Sequence, residues 1–299
     1  MNRHHRITGL LALAAVLVWT LPALAQQQID ETRKVDSDAT ITIEVLAGRV
    51  TVETWDRDEV RITGTLDPKA EELRIEGGGS RLDLEVEYPD RVRDIDDGSD
   101  LRIRVPGRAD VEISTVSADV TVDDVRGDVD IETVSGTVSV RGEPAELAVE
   151  SVSGVLDIDV KTDTASLACV SGDLKVRGVR RDLECGVVSG SIEVDAGKDM
   201  ESLECETVSG DITVRGELPG KADWSLSAHS GDITVLLSGD VDAEFEIETF
   251  SGEINDVFGH QARRRSKYAP GNELEATVGD GSASVEIEAF SGEVTVRKK

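Results

Sequence analysis

Between residues 135 and 291 the dipeptide Ser-Gly stands at eight positions of near-regular spacing, leaving aside Ser238-Gly239, and no other feature limits the available folds as strongly. The serines are 18, 18, 18, 20, 21, 21 and 40 residues apart, and Ser117-Ala118 precedes the first of them by another 18. Such near-equal spacing is typical of repeat proteins built from stacked units. The pairs are Ser135-Gly136, Ser153-Gly154, Ser171-Gly172, Ser189-Gly190, Ser209-Gly210, Ser230-Gly231, Ser251-Gly252 and Ser291-Gly292.

Apolar and polar residues alternate on both sides of each pair, which is the period-2 pattern of a half-buried strand. Valine, leucine or isoleucine stands three residues after every one of these serines. Each unit is therefore predicted as a strand, a Ser-Gly corner, a second strand and a second turn. One unit cannot enclose its own apolar side, but units stacked about 4.8 Å apart can do so.

The predicted fold is all-β: a single-chain, β-helix-like β-solenoid of about nine rungs of 18–21 residues with an N-terminal β cap. A β-sandwich of hairpins in two opposed layers is the competing fold. In a sandwich, residues at the same offset in successive units would lie far apart. The near-equal spacing and repeated inward offsets favour the solenoid.

Four regions are expected along the chain. Residues 1–25 resemble a secretory signal peptide, because basic residues precede a short apolar run and the small-x-small site Ala23-Leu24-Ala25. A linker is expected over 26–37, the N-terminal β cap region over 38–110, and the repeat solenoid over 111–299. The solenoid includes an irregular C-terminal cap over 255–299. Cleavage after Ala25 would leave a periplasmic or secreted protein without a membrane span.

The formal net charge of −29 disfavours binding to nucleic acid, because affinity for phosphates depends on lysine and arginine. The outward positions of the first strand in each unit are mainly acidic, whereas those of the second strand are rich in threonine and arginine. The expected partner is an envelope protein, a glycan or a second copy of this chain. One basic cluster, Arg263, Arg264, Arg265 and Lys267, is a candidate partner contact or simply a solvated loop.

Motifs for catalysis or metal binding are missing from the sequence. No Glu-x-x-His, Cys-x-x-Cys or Gly-x-Ser-x-Gly arrangement occurs, and only His229 and His260 follow the signal segment. The repeated serine lacks a repeating histidine that could act as its base, so its predicted role is structural. Glycine after it suits a corner with positive φ. We expect no catalytic residue, no cofactor and no metal.

Cys185 and Cys205 occupy the same inward offset in consecutive units, so stacking would bring them within disulfide range. A disulfide is one prediction for this pair in an oxidising compartment. The alternative is that both are small buried apolar residues, and Cys169 is expected to be a buried thiol.

Three further motifs carry a family resemblance. They are Trp55-Asp56-Arg57-Asp58-Glu59-Val60, the run Val-Ser-Gly-Asp-Ile-Thr-Val at 208–214, and Tyr268-Ala269-Pro270-Gly271-Asn272-Glu273-Leu274 followed by Gly279-Asp280-Gly281 and Phe290-Ser291-Gly292-Glu293. Across residues 38–297 the chain resembles the bacterial "putative adhesin" family of exported β-repeat domains of unknown function. The resemblance implies a β-helix-like fold and supplies no catalytic residues. Ser117-Ala118 departs from the Ser-Gly pattern, which puts the geometry of one corner in doubt.

The predicted function is therefore a non-catalytic extracytoplasmic β-repeat scaffold, an adhesin-like binding or structural protein. The alternative is a carbohydrate-active β-helix enzyme, a lyase or hydrolase, which rests on analogy of fold alone.

Overall fold

The computed structural model describes residues 27–89, 98–256, 258–265 and 270–298. Every regular element within these ranges is a β-strand. The expected signal peptide, residues 1–25, lies outside the described residues. In the ranges that are described, no helix has the length and apolarity needed to cross a bilayer.

The described strands run from Gln28 to Lys298. The first four are β1 (Gln28–Trp55), β2 (Glu59–Thr65), β3 (Glu72–Glu87) and β4 (Ser99–Pro106). The others are β5 (Asp110–Asp123), β6 (Val129–Gly142), β7 (Glu146–Val160), β8 (Thr164–Ser171), β9 (Leu174–Arg177), β10 (Asp182–Ser189), β11 (Ile192–Ala196), β12 (Ser202–Ser209), β13 (Ile212–Glu217), β14 (Asp223–Ser230), β15 (Ile233–Ser238), β16 (Ala243–Ser251), β17 (Ile254–Asp256), β18 (Arg263–Arg264), β19 (Asn272–Val278), β20 (Ala283–Ser291) and β21 (Val294–Lys298).

Successive units stack as parallel strands in exact register. Ser135 lies opposite Ser153, which in turn lies opposite Ser171. Residues that share an offset are therefore nearest neighbours, which confirms the β-solenoid and excludes the hairpin sandwich. In each rung a first strand ends at the corner serine and a second strand follows it. In β5, β6 and β7 these two segments form one continuous strand around the corner.

The core consists of columns of aliphatic side chains between the two strand layers. The column three residues after the corner serine includes Val138, Leu156 and Leu174, and each of them is fully buried. Trp224 and Phe245 are the largest fully or almost fully buried side chains, and they lie in the rungs near the C-terminal end. Each rung thus buries its apolar residues against the rungs on either side.

The corner glycines are required by the closeness of the rungs. Gly154 and Gly172 have φ of 141° and 150°, a region that glycine adopts readily and other residues rarely do. A Cβ atom on Gly172 would lie 1.7 Å from the carbonyl oxygen of Gly154. The same conflict recurs at the other corners, so the glycine column sets how tightly the rungs pack.

Aspartates after the corner tie neighbouring rungs together. The carboxylate of Asp173 accepts hydrogen bonds from the backbone N–H of Ser191 (3.0 Å) and from its Oγ (2.6 Å). Asp119 and Asp211 accept the equivalent backbone N–H from the next rung, each at 2.9 Å. These carboxylates satisfy donors at a bend where the regular ladder is interrupted.

At the N-terminal end the spatial order of the strands differs from their order in the chain. Residues 40–53 of β1 form a rung that pairs with β5 on one side and with β3 and β4 on the other. The sequence predicted a linker over 26–37, yet β1 already begins at Gln28. Residues 28–34 pair antiparallel with β2 and cover the edge of β2 that would otherwise be open.

The C-terminal end shows a comparable rearrangement. Strand β20 pairs with β14 on one side and β16 on the other, and β21 lies between β15 and β17. Residues 283–298 therefore form a regular rung inserted into the stack, although the sequence predicted an irregular cap over 255–299. The outer edge of β16 is covered by the antiparallel strand β19. Pairing on both sides buries the backbone of the inserted rung.

Candidate functional site

A column of exposed valines runs along the solenoid, one residue before each corner. Six consecutive members are 47–51% exposed although their neighbours two residues before the corner are buried or nearly buried. They are Val116, Val134, Val152, Val170, Val188 and Val208. Because equivalent residues in successive rungs are about 4.8 Å apart, the column is a continuous apolar strip about 24 Å long. We refer to these six residues as the valine column.

Aromatic rings extend the valine column toward the C-terminal end. His229 stacks on Phe290 with ring centroids 4.7 Å apart, and Phe290 stacks on Phe250 at the same distance. The interplanar angles are 8° and 4°, so the three rings are almost parallel. Their order in space follows the inserted rung, because Phe290 lies between two residues that precede it in the chain. The rings add exposed apolar surface to the strip.

All of the valine column except Val116 forms one wall of a long groove on the first-strand face, with a volume of about 930 Å³. The groove crosses eight rungs, from that of Thr115 to that of Phe290, and is thus about 34 Å long. Its opposite wall is the column of residues three before the corner. That column consists of Ser114, Glu132, Glu150, Ala168, Gly186, Glu206, Ser227 and Glu288.

The charge of the groove has a single sign. Four glutamates line it, and no lysine or arginine does so among the described residues. Glu132, Glu150, Glu206 and Glu288 form no ion pair with any described residue. Glu248 does form one, with Arg265 at 2.7 Å, but it lies outside the groove lining. The groove therefore combines an apolar strip with unneutralised negative charge.

Small side chains lie on the floor of the groove two residues before the corners, and those of Thr115, Thr133, Ser151 and Thr207 carry hydroxyl groups. Thr133 donates a hydrogen bond from Oγ1 to the carbonyl oxygen of Ser135 (3.3 Å) and accepts one from Thr115 (2.8 Å). The hydroxyl of Thr207 is buried and has no partner in the described structure. Burial raises the pKa of the Cys169 thiol, which opposes formation of the reactive thiolate.

The second-strand face, by contrast, balances its charges. Asp157 pairs with Arg177 at 3.0 Å and with Arg141 at 3.7 Å, and Arg215 pairs with Glu193 at 3.8 Å. Cross-strand pairs of opposite charge are favourable in a ladder, whereas like charges directly opposite are not. The unneutralised acidity is thus concentrated on the groove face.

The structure places the predicted cysteine pair in register. Cys185 lies directly opposite Cys205 in the adjacent strand, and both are buried free thiols, as is Cys169. Burial is the main cause of the strongly raised pKa of Cys205, and the adjacent Cys185 adds to it. The disulfide that the sequence left open is not formed here.

The predicted basic cluster lies outside the groove. Arg263 and Arg264 are exposed in the short strand β18, and Arg265 forms the ion pair with Glu248. Lys267 lies outside the described residues. Among the described residues, no group of three or more His, Cys, Asp or Glu side chains is placed to bind a metal ion.

The corner serines and glycines are identifiable from the repeat alone, whereas the valine column has no role among the sequence-based predictions. The signal was present in the alternation of inward and outward positions. Residues four before the corner point inward, so residues three and one before it point outward by parity. A row of valines at an outward position of a half-buried strand is the pattern that should have indicated an exposed apolar surface.

Comparison with protein families matches residues 39–224, more than half of the chain, to the model described as Toastrack DUF4097. No curated protein matches the chain. Among solved structures it is similar to a "putative adhesin" from Bacteroides fragilis NCTC 9343, with 14% identity over 92% of this chain and 99% of that one and a TM-score of 0.46. A "putative cell adhesion protein" from Clostridium sporogenes ATCC 15579 has 12% identity over 91% and 100% of the two chains, with a TM-score of 0.24. A "putative lipid binding protein" from Parabacteroides distasonis ATCC 8503 has 14% identity over 90% and 97%, with a TM-score of 0.33.

Proposed function

This chain belongs to the Toastrack DUF4097 family, and from that premise we propose that it is a non-catalytic, adhesin-like binding scaffold. The observation that carries the proposal is the continuous valine column along one wall of the groove. A regular rod holds these side chains at a fixed spacing on a rigid parallel sheet. The surface is preorganised, so a partner does not have to order it on binding.

The exposed apolar strip supports a binding role. Isolated apolar side chains on a surface are ordinary, but a contiguous strip bordered by polar residues is typical of an interaction site. Valine has little side-chain entropy to lose on binding, because its χ1 is already restricted in a strand. The strip therefore offers a partner apolar contact at low entropic cost.

The chemistry of the groove supports a non-catalytic role. Its cysteine, Cys169, is buried with a raised thiol pKa, and its histidine, His229, is stacked on Phe290. Nucleophilic catalysis needs an activated nucleophile held by a base within hydrogen-bond distance. Neither residue meets that requirement in this arrangement.

We further propose that the scaffold acts outside the cytoplasm, in the periplasm or as a secreted protein, because residues 1–25 have the pattern of a cleaved signal. Cell fractionation and N-terminal sequencing of the exported protein test this. We expect a mature form that begins at Gln26. A cytoplasmic protein that retains Met1 would contradict the proposal.

The groove itself is tested with Nile red, a neutral apolar dye. We expect the wild type to raise its fluorescence and the Val152→Thr/Val170→Thr/Val188→Thr variant to lose most of that signal, because threonine keeps the strand but adds polar surface. Val155→Thr is the matched control, since Val155 is exposed but lies outside the groove. Equal signals from the triple variant and the wild type would show that the strip is not a binding surface.

The proposal also predicts no turnover. Purified protein is incubated with a panel of polysaccharides, and reducing ends and unsaturated uronates are measured. Specific cleavage abolished by a single Asp or Glu substitution would replace the scaffold by the carbohydrate-active enzyme.

A further inference from the structure

We propose that the groove binds a basic amphipathic helix of a partner protein, with the apolar side of the helix on the valine column and its lysines or arginines against the glutamates. This inference rests on the proposed function of the groove as a binding surface. It adds the chemical class and the conformation of the partner.

Charge complementarity determines the sign of the partner's charge. Four glutamates line the groove without a neutralising cation among the described residues, while the second-strand face pairs its own acids with arginines. An acidic or neutral partner would leave those carboxylates partly desolvated and unpaired, which opposes binding. A cationic partner gains attraction at the same positions.

The spacing of the rungs favours a helix over an extended segment. The groove runs perpendicular to the strands, so its side chains repeat about every 4.8 Å. A helix repeats its contact side about every 5.4 Å, close to that spacing. An extended peptide repeats its side chains about every 6.7 Å and falls out of step within two rungs. Helix packing is therefore better matched to the valine column.

The wall of the groove that carries the four glutamates, which we call the acidic wall, also sets the length of the partner helix. Glu132 and Glu288 are six rungs apart in space, or about 29 Å. At about 1.5 Å per residue, a helix of about 19 residues spans that distance. Basic residues near both ends of such a helix would meet glutamates at both ends of the groove.

The middle of the acidic wall carries only small side chains. Ala168 and Gly186 occupy consecutive rungs between Glu150 and Glu206, and a Cβ atom added to Gly186 would meet no atom within 4 Å. This gap leaves room for a large apolar side chain of the helix at its centre. Thr207, whose buried hydroxyl has no partner in the described structure, lies on the floor in the next rung. It offers a hydrogen-bonding group to whatever fills the groove.

The test uses a synthetic peptide of about 19 residues, which as a helix spans the distance from Glu132 to Glu288. It is composed of leucine and lysine, with leucine on one side of the helix. Binding to the full mature protein is measured by fluorescence anisotropy, and helix formation by circular dichroism. Two peptides serve as controls, with glutamine or glutamate replacing every lysine. We expect the glutamine peptide to bind about tenfold more weakly and the glutamate peptide not to bind.

Two protein variants locate the site. Glu132→Gln/Glu150→Gln/Glu206→Gln is expected to weaken binding of the lysine peptide about tenfold and to reduce its salt dependence. Gly186→Leu fills the central gap and should weaken binding at least as much. Circular dichroism melting checks that both variants remain folded. Glu184→Gln, an exposed glutamate of the same strand outside the groove, is the matched control and should leave binding unchanged.

The outcomes separate this inference from the proposed function. If the glutamine peptide binds as tightly as the lysine peptide, and the triple valine variant weakens both, the groove is a binding surface but its partner is not basic. Both proposals fail if the lysine peptide binds two protein variants with the affinity it has for the wild type. These are the triple valine variant and the Glu132→Gln/Glu150→Gln/Glu206→Gln variant. Salt-sensitive dimers that are lost in Arg263→Ser/Arg264→Ser would assign the groove to a second copy of this chain and overturn the inference.

Discussion

At the scale of single residues, glycines in neighbouring rungs differ in what surrounds the position of a side chain. The carbonyl oxygen of the preceding rung occupies the position that a Cβ atom would need at Gly172, and the backbone there has φ of 150°. Gly186, one rung further along, has neither restriction. Two glycines in neighbouring rungs thus have opposite tolerance to substitution.

The first prediction concerns this pair. Gly172→Ala is expected to lower the free energy of unfolding by about 3 kcal/mol, because it combines a clash with an unfavourable backbone conformation. Gly186→Ala should be neutral or slightly stabilising, since alanine loses less backbone entropy on folding. Urea denaturation measures both. Equal losses in the two variants would contradict the packing argument.

The second prediction concerns the aspartate that follows a corner. The hydrogen bond from Ser191 Oγ lowers the pKa of the Asp173 carboxyl, so the folded state favours its ionised form. Asp173→Ala should cost about 1 kcal/mol at neutral pH. Because the folded pKa is depressed, that difference is present above the ordinary carboxyl pKa and disappears as the pH falls through the folded one.

Thermal melts of the wild type and Asp173→Ala across acidic and neutral pH measure this. Asp199→Ala is the control, because Asp199 is exposed and forms no hydrogen bond or ion pair in the described structure. A stability difference for Asp173→Ala that stayed constant down to low pH would show that the carboxylate charge is not the cause.

At the scale of strands, the outward columns of the two layers carry opposite electrostatic patterns. Asp130 lies directly opposite Glu112 in the first-strand layer, whereas Asp195 lies between Arg177 and Arg215 in the second. Burial, with the charges of Glu112 and Glu150, raises the pKa of Asp130. An outward aspartate therefore faces like charges on the first-strand face and opposite charges on the second-strand face.

The third prediction follows from that contrast. A raised carboxyl pKa means that the folded state binds the proton more tightly, so stability is lost as the pH rises through the folded pKa. Asp130→Asn should raise the free energy of unfolding by about 0.5 kcal/mol at neutral pH and have no effect near pH 3. Asp195→Asn should lower it by about the same amount. Urea melts at both pH values test this, and a change of the same sign in both variants would refute it.

The strand pattern was largely predictable from the sequence, and the chain order at the ends was not. Alternation and spacing place Val138 and Leu156 in one column, because parity and register follow from local composition. They do not say which rung lies next to which, since β16 and β20 have equivalent patterns and either could pair with β14. The groove was missed because no residue type marks it; only the exposed parity of the valine column does.

At the scale of the whole molecule, the inserted rung makes the C-terminal end depend on residues 283–298. Strands β20 and β21 fill the space between β14–β15 and β16–β17. Repeat proteins are held together mainly by contacts between nearest neighbours. Removal of this rung therefore separates β16–β19 from the rest of the stack.

The fourth prediction is that a chain ending at residue 282 loses structure beyond the deleted part. Hydrogen exchange should show that the backbone amides of residues 243–278 are unprotected. Those of residues 129–196 should keep native protection, because the contacts of residues 129–196 with their neighbouring rungs are intact. The full-length protein is the reference for both segments. Retained protection over 243–278 would mean that β16 can pair directly with β14 and that the inserted rung is dispensable.

The insertion also has a consequence for synthesis, which proceeds from the N-terminus. Strands β16–β19 leave the ribosome before β20 and β21, yet the slot between β14 and β16 is filled only by the later strands. Until then the edges of β14 and β15 stay unpaired, and β16–β19 have no rung to stack on. A product of premature termination keeps those edges unpaired, which gives proteases a structural feature by which to recognise it.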